Sequence, residues 1–406
     1  MQGTLQTTSP TTPPKSSPLR VLIAGGGIGG LAAALAIART GGEVRVFERR
    51  AQSDEDGAGI QLGPNGTRIL QSLGLADQLS SQVAMPDALF VHDGPMGVRV
   101  AELPLGGWLA ERHGAPYWVA HRADLHAALR RAVDEHPLIE LRHGIEIEDA
   151  ETYSDEVLAR SGGQIVGAGD ILIAADGLRS TLRQNLFGTR LPRYSGKSAA
   201  RTVIRREQIP DGIPQDSVGI WLAPKGHVVH YPVRAGRELA IVVIRNDLAV
   251  DEGWATAVAH DWVKDAVQDF AAPVRSLIAA SDNWRKWALF ELPPLKTWVN
   301  DRVVLLGDAA HPVLPFLAQG AVLALEDALT LARCLSDSDS VRKALGSYQT
   351  QRSRRAEGVQ AASRRNGQIY HLDGPLRQAR NVTLTISPPK RVMASYDWLY
   401  GWRPSA

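Results

Sequence analysis

Three glycines near the start of the chain have a spacing that suits a bound dinucleotide. Gly25, Gly27 and Gly30 follow the pattern G-x-G-x-x-G between an apolar run at residues 21–24 and an Ala- and Leu-rich helix. The first glycine would allow a tight turn, the second would let a pyrophosphate approach the backbone, and the third would let helix and strand pack closely. The helix N-terminus would face the phosphates with its partial positive charge. The segment therefore predicts a dinucleotide site.

Acidic residues at the ends of three predicted strands indicate which dinucleotide this is. Glu48 ends the second strand, EVRVFE, where an acid can bind ribose hydroxyls. Asp176 follows the apolar strand at residues 171–174, and Asp308 follows the apolar strand at residues 303–306. An NAD dehydrogenase has no need of the last two acids, whereas the ribityl hydroxyls of FAD must be held between pyrophosphate and flavin ring. The pattern favours FAD over NAD.

The composition indicates a globular protein and disfavours several other classes. The 406 residues suffice for one large or two medium domains, and 45 Lys and Arg residues nearly balance 43 Asp and Glu residues. Neither nucleic acid nor a membrane is therefore expected as a partner. The single cysteine, Cys334, is expected to be a buried small residue. Residues 1–18 are expected to form a disordered tail, and with no apolar stretch of roughly 20 residues, a cytoplasmic location is expected.

Alternating apolar and polar residues in the middle of the chain predict antiparallel strands that would wall a substrate pocket. Segments at residues 87–103 and 217–244 combine this alternation with turn glycines. On a strand, His227 and Tyr231 would share one face and His230 the other. The pair could reach a substrate phenol together, or could be an ordinary strand histidine with a packed tyrosine. No metal site is expected, because no third ligand is apparent and His227 and His230 diverge.

Taken together, these segments resemble the single-component (group A) FAD-dependent aromatic hydroxylases, and most closely their salicylate, 3-hydroxybenzoate and 6-hydroxynicotinate hydroxylase branch. The resemblance runs from residue 19 almost to the C-terminus, through GGGIGG, GAGIQLGPNGTRILQSLGL, HRADLHAAL, ADGLRSTLR, HVVHYPV, GDAAHP, AQGA, ALEDA and YDWLYGW. It implies an α/β fold: a Rossmann-like (GR2-type) FAD-binding domain with an inserted antiparallel β-sheet substrate domain and C-terminal helices. The implied FAD-binding domain is discontinuous, at residues 19–85, 112–187 and 285–340. The sheet domain would comprise residues 86–111 and 188–284, and the helical segment residues 341–406.

The resemblance also assigns residues to FAD, bound non-covalently. Glu48 would hold the adenosine ribose, Arg122 would contact FAD where it crosses the first strand–helix unit, and Asp308 would hydrogen-bond a ribityl hydroxyl. Asp176 would serve the pyrophosphates of FAD and of the nicotinamide cofactor by positioning Arg183; the alternative is a plain turn aspartate. The expected cofactor-binding residues are Gly25, Gly27, Ile28, Gly30, Glu48, Arg49, Arg122, Asp176, Asp308, Gln319, Gly320 and Ala321.

The segment GDAAHPVLPFLAQGA, residues 307–321, is expected to run along the flavin ring. Pro312 and Pro315 would stiffen it. A helix that starts at Gln319-Gly320 would aim its free N–H groups at the pyrimidine end of the ring, where negative charge accumulates on reduction.

Several further polar residues are expected to be structural. His311 would brace the loop at residues 307–321, and Glu326 and Asp327 would make structural hydrogen bonds. The arginine-bearing helix at residues 348–368 is expected to be solvated, since no interleaved aromatic residues suggest nucleic-acid binding.

The implied reaction is hydroxylation of a small phenolic or hydroxypyridine-type aromatic, expected to be a carboxylate, with NADH or NADPH and O₂ through a flavin C4a-hydroperoxide. Tyr231, His227 and Pro315 are the expected catalytic residues, and Tyr231, acting through His227, is the candidate base for the ring hydroxyl. His227, Tyr231, Phe316 and Arg205 are the expected substrate-binding residues. The protein would act as a monomer or homodimer.

One departure from the family leaves the substrate open. By the resemblance, close relatives commonly carry a polar residue at the position of Phe316. The substrate could therefore be more apolar, or could depend on His227, Tyr231 or Arg201 and Arg205 for its orientation. The alternatives are an FAD-dependent epoxidase or tailoring oxygenase that acts on a larger apolar substrate, and a non-catalytic flavin-binding sensor.

Overall fold

The computed structural model describes residues 18–51, 59–189, 191–248 and 256–404, so the predicted disordered tail lies outside the described residues except for residue 18. The strands are β1 (Arg20–Ala24), β2 (Glu43–Glu48), β3 (Gly59–Leu62), β4 (Ala88–Asp93), β5 (Arg99–Pro104), β6 (Trp118–His121), β7 (Ile139–His143), β8 (Asp149–Thr152), β9 (Val157–Ser161), β10 (Gln164–Gly169), β11 (Ile171–Ala174), β12 (Arg193–Arg205), β13 (Val218–Ala223), β14 (Gly226–Val233), β15 (Glu238–Asn246), β16 (Thr256–Ala257), β17 (Arg285–Glu291), β18 (Val299–Asn300) and β19 (Val303–Leu305). The helices are α1 (Ile28–Ala38), α2 (Pro64–Ser72), α3 (Ala76–Ser80), α4 (Gly106–His113), α5 (Arg122–Asp134), α6 (Thr181–Phe187), α7 (His260–Ala266), α8 (Ala272–Ala279), α9 (Gly320–Ser336), α10 (Val341–Tyr370), α11 (Gly374–Ile386), α12 (Pro389–Ala394) and α13 (Asp397–Tyr400).

One large sheet is parallel and is built from continuous apolar runs. Its order is β18-β19-β11-β1-β2-β7, and only the β18–β19 pair is antiparallel. All of β11 and the last four residues of β1 are buried, as expected for a sheet covered on both faces. The carboxyl ends of β1, β2, β11 and β19 meet at one edge, which brings the glycine-rich segment and the three predicted acids together.

Helix α1 joins this sheet to α9 through small side chains. Every residue of α1 except Gly29 is buried. A Cβ atom at Gly29 would lie 2.9 Å from Leu306 Cδ2 and 3.1 Å from Ala324 Cβ. The Ala- and Gly-rich sequence therefore allows α1 to pack closely against α9.

The second large sheet has the order β16-β17-β12-β15-β14-β13-β4-β5, and it includes β4 and β5 from the segment at residues 87–103. Its neighbours are antiparallel except for β4 and β13, which are parallel. The parallel pair differs from the prediction because no hairpin connects these strands, so no short turn dictates their direction. Strand β17 pairs with β12 in this sheet. The prediction placed residues 285–291 in the FAD-binding domain, but this strand belongs to the second sheet. The predicted domain boundary at residue 285 is therefore wrong.

The residues of β14 and β15 alternate between two environments. Val228, Ile241 and Val243 pack in a core with residues of α7 and α8 on one face. On the opposite face, His227, Val229, Tyr231, Val242 and Ile244 line a cavity. Every second residue of these strands therefore faces the cavity, so the alternation in the sequence determines which side chains form the cavity wall.

The C-terminal helices cover both large sheets. Arg352 of α10 is fully buried, and its guanidinium lies 2.7 Å from Asp327 and 2.9 Å from Glu326 on α9. The prediction that the helix at residues 348–368 is simply solvated is therefore wrong on this face. Arg377 of α11 forms an ion pair with the buried Asp93 at the end of β4. Among the described residues, no helix is both long and apolar enough to span a membrane.

Candidate active site

The glycine-rich turn after β1 has the geometry that its sequence predicts. Gly25 has a φ of +109°, and a Cβ atom there would lie 2.4 Å from the carbonyl oxygen of Ala175, so that only glycine fits. A Cβ atom at Gly30 would lie 2.0 Å from the carbonyl oxygen of Gly25. A Cβ atom at Gly27 would meet no other atom within 4 Å. The backbone at Gly27 is therefore open to a ligand, next to the N-terminus of α1.

Two side chains hold this turn from either side. Glu48 Oε2 accepts a hydrogen bond of 2.8 Å from the N–H of Gly26, and Glu48 Oε1 accepts one of 2.9 Å from the N–H of Arg50. His126 of α5 lies with Nε2 at 2.8 Å from the carbonyl oxygen of Gly26. Sequence reasoning missed His126, although it stands one helical turn after Arg122 in the segment HRADLH.

Asp308 follows β19 and presents its carboxylate to the same edge of the sheet. No hydrogen bond to this carboxylate is found within the described ranges, and the side chain is accessible from the cavity although protein surrounds it. Burial raises the pKa of Asp308, and the nearby His311 and Arg122 oppose this effect. A carboxylate that is exposed to the cavity and has no donor among the described residues favours a ligand that donates hydrogen bonds.

Asp176 and Arg183 connect the ends of β11 and β19. Ser180 caps α6 as predicted, because its hydroxyl accepts a hydrogen bond of 2.9 Å from the N–H of Arg183. Asp176 Oδ2 accepts a hydrogen bond of 3.2 Å from the N–H of Leu182, and burial raises the pKa of Asp176. The fully buried Arg183 donates to the carbonyl oxygen of Ala309 at 3.0 Å. Asp176 thus holds the start of α6, which positions Arg183 between the two strand ends.

A cavity of about 330 Å³ lies between the strand ends and the second sheet. Several of its lining residues were not among the expected site residues: Val229, Val242 and Ile244 come from the alternating strands, Gln61 from β3, and Val313 from the loop before α9. Most of the predicted site residues line it too: Gly27, Ile28, Arg122, His227, Tyr231, Asp308, Pro315, Gln319, Gly320 and Ala321.

Helix α9 starts where the sequence predicted and points its first residues at this cavity. Gln319 is the N-cap, and Gly320 and Ala321 line the cavity. The buried Asn65 on α2 donates from Nδ2 to Gln319 Oε1 at 3.0 Å and to Glu326 Oε1 at 2.8 Å. The first N–H groups of a helix lack partners within the helix, so this end can bind negative charge. Sequence reasoning missed Asn65, although its place in the segment GPNG, at the start of a helix, could have indicated it.

His311 braces the loop through a buried network, as the sequence predicted. His311 Nε2 lies 2.5 Å from Asp327 Oδ2, which also accepts a hydrogen bond of 3.0 Å from the N–H of Gly307. Arg352 donates to Asp327 Oδ1 at 2.7 Å. Burial alone would raise the pKa of Asp327, but His311 and Arg352 outweigh it and lower the pKa to about 2. Asp327 and Glu326 therefore make structural contacts.

His227 and Tyr231 face the cavity from the same face of β14, as predicted, with Val229 between them, and His230 lies on the opposite face near Trp221. The hydroxyl of Tyr231 donates a hydrogen bond of 2.9 Å to the carbonyl oxygen of Gly59. Burial raises the pKa of Tyr231 to about 12, although Arg201 opposes it. Tyr231 therefore remains protonated near neutral pH, which counts against its predicted role as the base.

Phe316 occupies a different place from the one predicted. Its ring packs into α10, where a Cβ atom at Gly367 would lie 2.7 Å from it. The ring centroid is 5.7 Å from that of His227, and Phe316 is absent from the residues that line the cavity. The turn at Pro315–Leu317 directs Phe316 away from the cavity and leaves Pro315 on its wall. Phe316 therefore lies behind the cavity wall, and its position does not support the predicted direct contact with substrate.

Two predicted arginines also lie outside the cavity. Arg205 is at the end of β12 and lines a separate groove, whereas Arg201, four residues earlier, lines the cavity. Arg49 has an exposed side chain whose guanidinium lies 3.7 Å from the carboxylate of Glu146. Of the two arginines that the sequence offered for orienting the substrate, Arg201 lines the cavity and Arg205 does not, because the position of the cavity along β12 depends on how the strands pack.

The residues at this edge fit FAD. The open backbone at Gly27 suits a pyrophosphate at the N-terminus of α1, and the carboxylate of Asp308 suits the ribityl hydroxyls. The start of α9 suits the pyrimidine end of the flavin ring. The glycine-rich turn, Asp308 and the start of α9 are therefore all placed as the prediction of bound FAD requires.

Comparison with known proteins identifies the family. A family model described as FAD binding domain matches residues 18–363. The chain belongs to this FAD-binding family. Over 390 residues it is 34% identical to 3-hydroxybenzoate 6-hydroxylase of Klebsiella oxytoca, covering 95% of this chain and 97% of that protein. It is 33% identical to 6-hydroxynicotinate 3-monooxygenase of Pseudomonas fluorescens, covering 88% of this chain and 93% of that protein.

The fold of this FAD-binding protein is also that of a solved salicylate hydroxylase substrate complex. The TM-score is 0.81 at 26% identity, covering 96% of this chain and 97% of the other. The predicted α/β fold, the FAD cofactor and the class of FAD-dependent aromatic monooxygenase are confirmed by these relatives.

Proposed function

We propose that this monooxygenase hydroxylates a small aromatic ring that carries a hydroxyl group and a carboxylate, with NADH or NADPH and O₂ as co-substrates. The observation that supports this most directly is that His227 and Tyr231 both line the cavity from one face of β14, with Val229 between them. Two polar groups on one strand face suit a ring hydroxyl. The relatives named for 3-hydroxybenzoate and 6-hydroxynicotinate act on rings of this kind.

When bound, FAD would accept hydride from the nicotinamide and would activate O₂. The protein must then make the ring electron-rich, and loss of the hydroxyl proton does so at the ortho and para carbons. His227 is the proposed base, since its neutral imidazole can accept this proton. Tyr231, which keeps its own proton, is the proposed hydrogen-bond donor to the resulting phenolate, and for this its hydroxyl must turn from the carbonyl oxygen of Gly59.

Arg201 is the proposed partner of the substrate carboxylate. It lines the cavity beside Tyr231, and its guanidinium lies 5.2 Å from the ring centroid of Trp287. A planar guanidinium can bind a carboxylate through two parallel hydrogen bonds. Pro315 and the start of α9 are proposed to hold the flavin ring opposite this arginine.

The alternative of a larger apolar substrate depended on Phe316. Because Phe316 packs against α10 instead of the cavity, it gives that alternative no support. We propose further that the enzyme works in the cytoplasm, where NADH and NADPH are available and its single cysteine stays reduced. We also propose that it acts as a monomer or homodimer.

The test is substrate-stimulated oxidation of NADH and NADPH by the FAD-loaded protein. The panel comprises 3-hydroxybenzoate, salicylate and 6-hydroxynicotinate, with benzoate as the matched control that lacks the hydroxyl. We expect at least one hydroxylated acid to raise the rate tenfold or more and to yield a hydroxylated product. Hydrogen peroxide is measured in parallel. Stimulation by none of the acids, or peroxide as the sole oxygen product, would contradict the proposal.

A further inference from the structure

A second histidine lies directly behind His227. His371, which caps the C-terminus of α10, has its Nε2 at 2.8 Å from His227 Nδ1, and the two ring centroids are 5.1 Å apart. His227 is 2% exposed, and its ring lines the cavity. Arg380 donates hydrogen bonds to the carbonyl oxygens of Ile369 and Tyr370, which fixes the end of the helix that carries His371.

The surroundings keep both imidazoles neutral. Burial, followed by His371 and Lys197, holds the pKa of His227 well below its ordinary value. Burial also lowers the pKa of His371, to about 4, and Lys197 on β12 and Arg380 on α11 act in the same direction. The other titratable or charged groups against the pair are Tyr370, whose ring lies 5.3 Å from that of His227, and Tyr231 and Arg201 on the cavity wall.

Two neutral imidazoles joined by a nitrogen–nitrogen contact must share one hydrogen atom. If His227 carries it on Nδ1 and donates to His371, then His227 Nε2 has a lone pair that can accept a proton from the cavity. If His371 donates instead, His227 carries its hydrogen on Nε2 and can only donate there. His371 therefore decides whether the cavity meets an acceptor or a donor.

We propose that His371 is a positioning residue that sets the tautomer of His227 and takes up its Nδ1 proton when the substrate hydroxyl ionises. This inference rests on the proposed function, because it concerns the ring hydroxyl of that substrate. It adds to the reaction a residue on α10 that faces His227 and does not line the cavity.

The proton movements balance in one step. The substrate O–H bond breaks, and its proton binds His227 Nε2. The N–H bond at His227 Nδ1 breaks, and that proton binds His371 Nε2. The products are a phenolate hydrogen-bonded to His227 Nε2–H and a positively charged His371. The charge is less costly on His371 than on His227, because His371 is only partly buried whereas His227 is enclosed. The phenolate that forms in the same step supplies the negative charge that offsets the effect of Lys197 and Arg380 on His371.

The experiment compares the wild-type holoenzyme with His371→Gln, which retains a hydrogen-bonding group but cannot take up a proton. The matched control is His136→Gln, the same substitution beyond the end of α5 and away from the cavity lining. Two measurements are made from pH 6 to pH 10. One is kcat/KM for the acid of the panel that stimulates the wild type most. The other is the ultraviolet difference spectrum of that acid bound to the oxidised enzyme, which distinguishes the protonated from the ionised ring hydroxyl.

In His371→Gln we expect the pKa of the bound phenol to rise by one unit or more. We also expect kcat/KM to fall about tenfold at pH 7 and to recover toward pH 10, where the phenol ionises without a base. The His136→Gln control should match the wild type. Unchanged ionisation of the bound phenol, or the same fractional loss of kcat/KM at every pH, would overturn the inference, since a purely structural role gives that pattern.

Failure of the proposed function has a different signature. If no hydroxylated acid in the panel stimulates the wild-type enzyme, the proposed function is wrong, whatever the variant does. If the wild type responds and His371→Gln keeps the wild-type pH profile, only the inference about His371 is wrong. Should His371→Gln fail to retain FAD, His371→Asn is measured in the same way, with the same two outcomes.

Discussion

At the scale of single residues, burial acts in opposite directions on the two polar side chains that face the substrate side of the cavity. It raises the pKa of Tyr231 to about 12 and lowers the pKa of His227 well below its ordinary value. Both side chains are therefore uncharged near neutral pH, one as a hydrogen-bond donor and the other as a base. The division of roles follows from desolvation, which penalises the charged form of each group.

Replacing Tyr231 tests this division. In Tyr231→Phe we expect KM for the ring substrate to rise about fivefold, because one hydrogen bond to the substrate is lost, at about 1 kcal/mol. The pH profile of kcat/KM from pH 6 to pH 9 should keep its shape, since Tyr231 does not titrate in that range. Steady-state NADH oxidation measures both quantities. If kcat/KM of this variant no longer changed with pH where that of the wild type does, Tyr231 and not His227 would be the titrating base.

Asp308 allows a test that does not depend on substrate. Its carboxylate has no donor within the described residues and faces the cavity, so FAD is expected to supply the donors. In Asp308→Ala we expect the dissociation constant of FAD to rise at least tenfold, in line with about 1.5 to 3 kcal/mol for a hydrogen bond to a charged group. Quenching of flavin fluorescence measures it. Asp337→Asn, an exposed carboxylate at the end of α9, is the control; equal affinities in both variants would contradict the assignment.

At the scale of elements, α10 has different requirements along its length. Near its middle, the exposed Gly358 has open space around it, since a Cβ atom there would meet nothing within 4 Å. Near its end, a Cβ atom at Gly367 would lie 2.7 Å from the ring of Phe316. The same residue type is therefore a conformational cost at one position and a packing requirement at the other.

Alanine at each glycine tests this contrast. Gly358→Ala should raise the free energy of unfolding by about 0.5 to 1 kcal/mol, because alanine is the better helix former. Gly367→Ala should lower it by about 1 to 3 kcal/mol, because the overpacked ring must move. Chemical denaturation of the two variants measures both values. A stabilising effect at Gly367 would show that Phe316 is not held where the structure places it.

At the scale of the whole molecule, neutral histidines buried in the second sheet make the fold sensitive to acid. His230 is fully buried on the face of β14 opposite the cavity, and neither of its ring nitrogens has a hydrogen-bond partner within the described residues. Burial, with the nearby His92, lowers the pKa of His230 to about 3. Burial, with Arg99, lowers the pKa of His92 to about 4. The unfolded chain therefore binds protons below pH 6.5 that the folded chain does not bind.

The sign of the effect follows from these lowered pKa values. Stability should fall as the pH drops from about 6.5 toward the folded pKa values, and for His230 the loss between pH 7 and pH 5 is about 2 kcal/mol. Urea denaturation at the two pH values measures it. In His230→Gln we expect a smaller loss than in the wild type, by about that amount, whereas His136→Gln should behave as the wild type does. An equal pH dependence in all three proteins would contradict the buried neutral state of His230.

The sequence by itself determined the features that depend on neighbouring residues. The turn at Gly25, the cap at Ser180 and the start of α9 at Gln319 were predictable, since each depends on local backbone geometry. The acids Asp176 and Asp308 could also be placed at one edge, because a parallel sheet aligns the carboxyl ends of its strands.

Only the tertiary structure decided which side chains meet across the fold. His371 is 144 residues from His227 in the chain, and nothing in the local sequence pairs them. Phe316 packs on α10 because Gly367 leaves room there, and Arg352 is buried because two acids on α9 compensate its charge. Packing and charge compensation are properties of elements that are distant in sequence, so their outcome depends on how those elements come together.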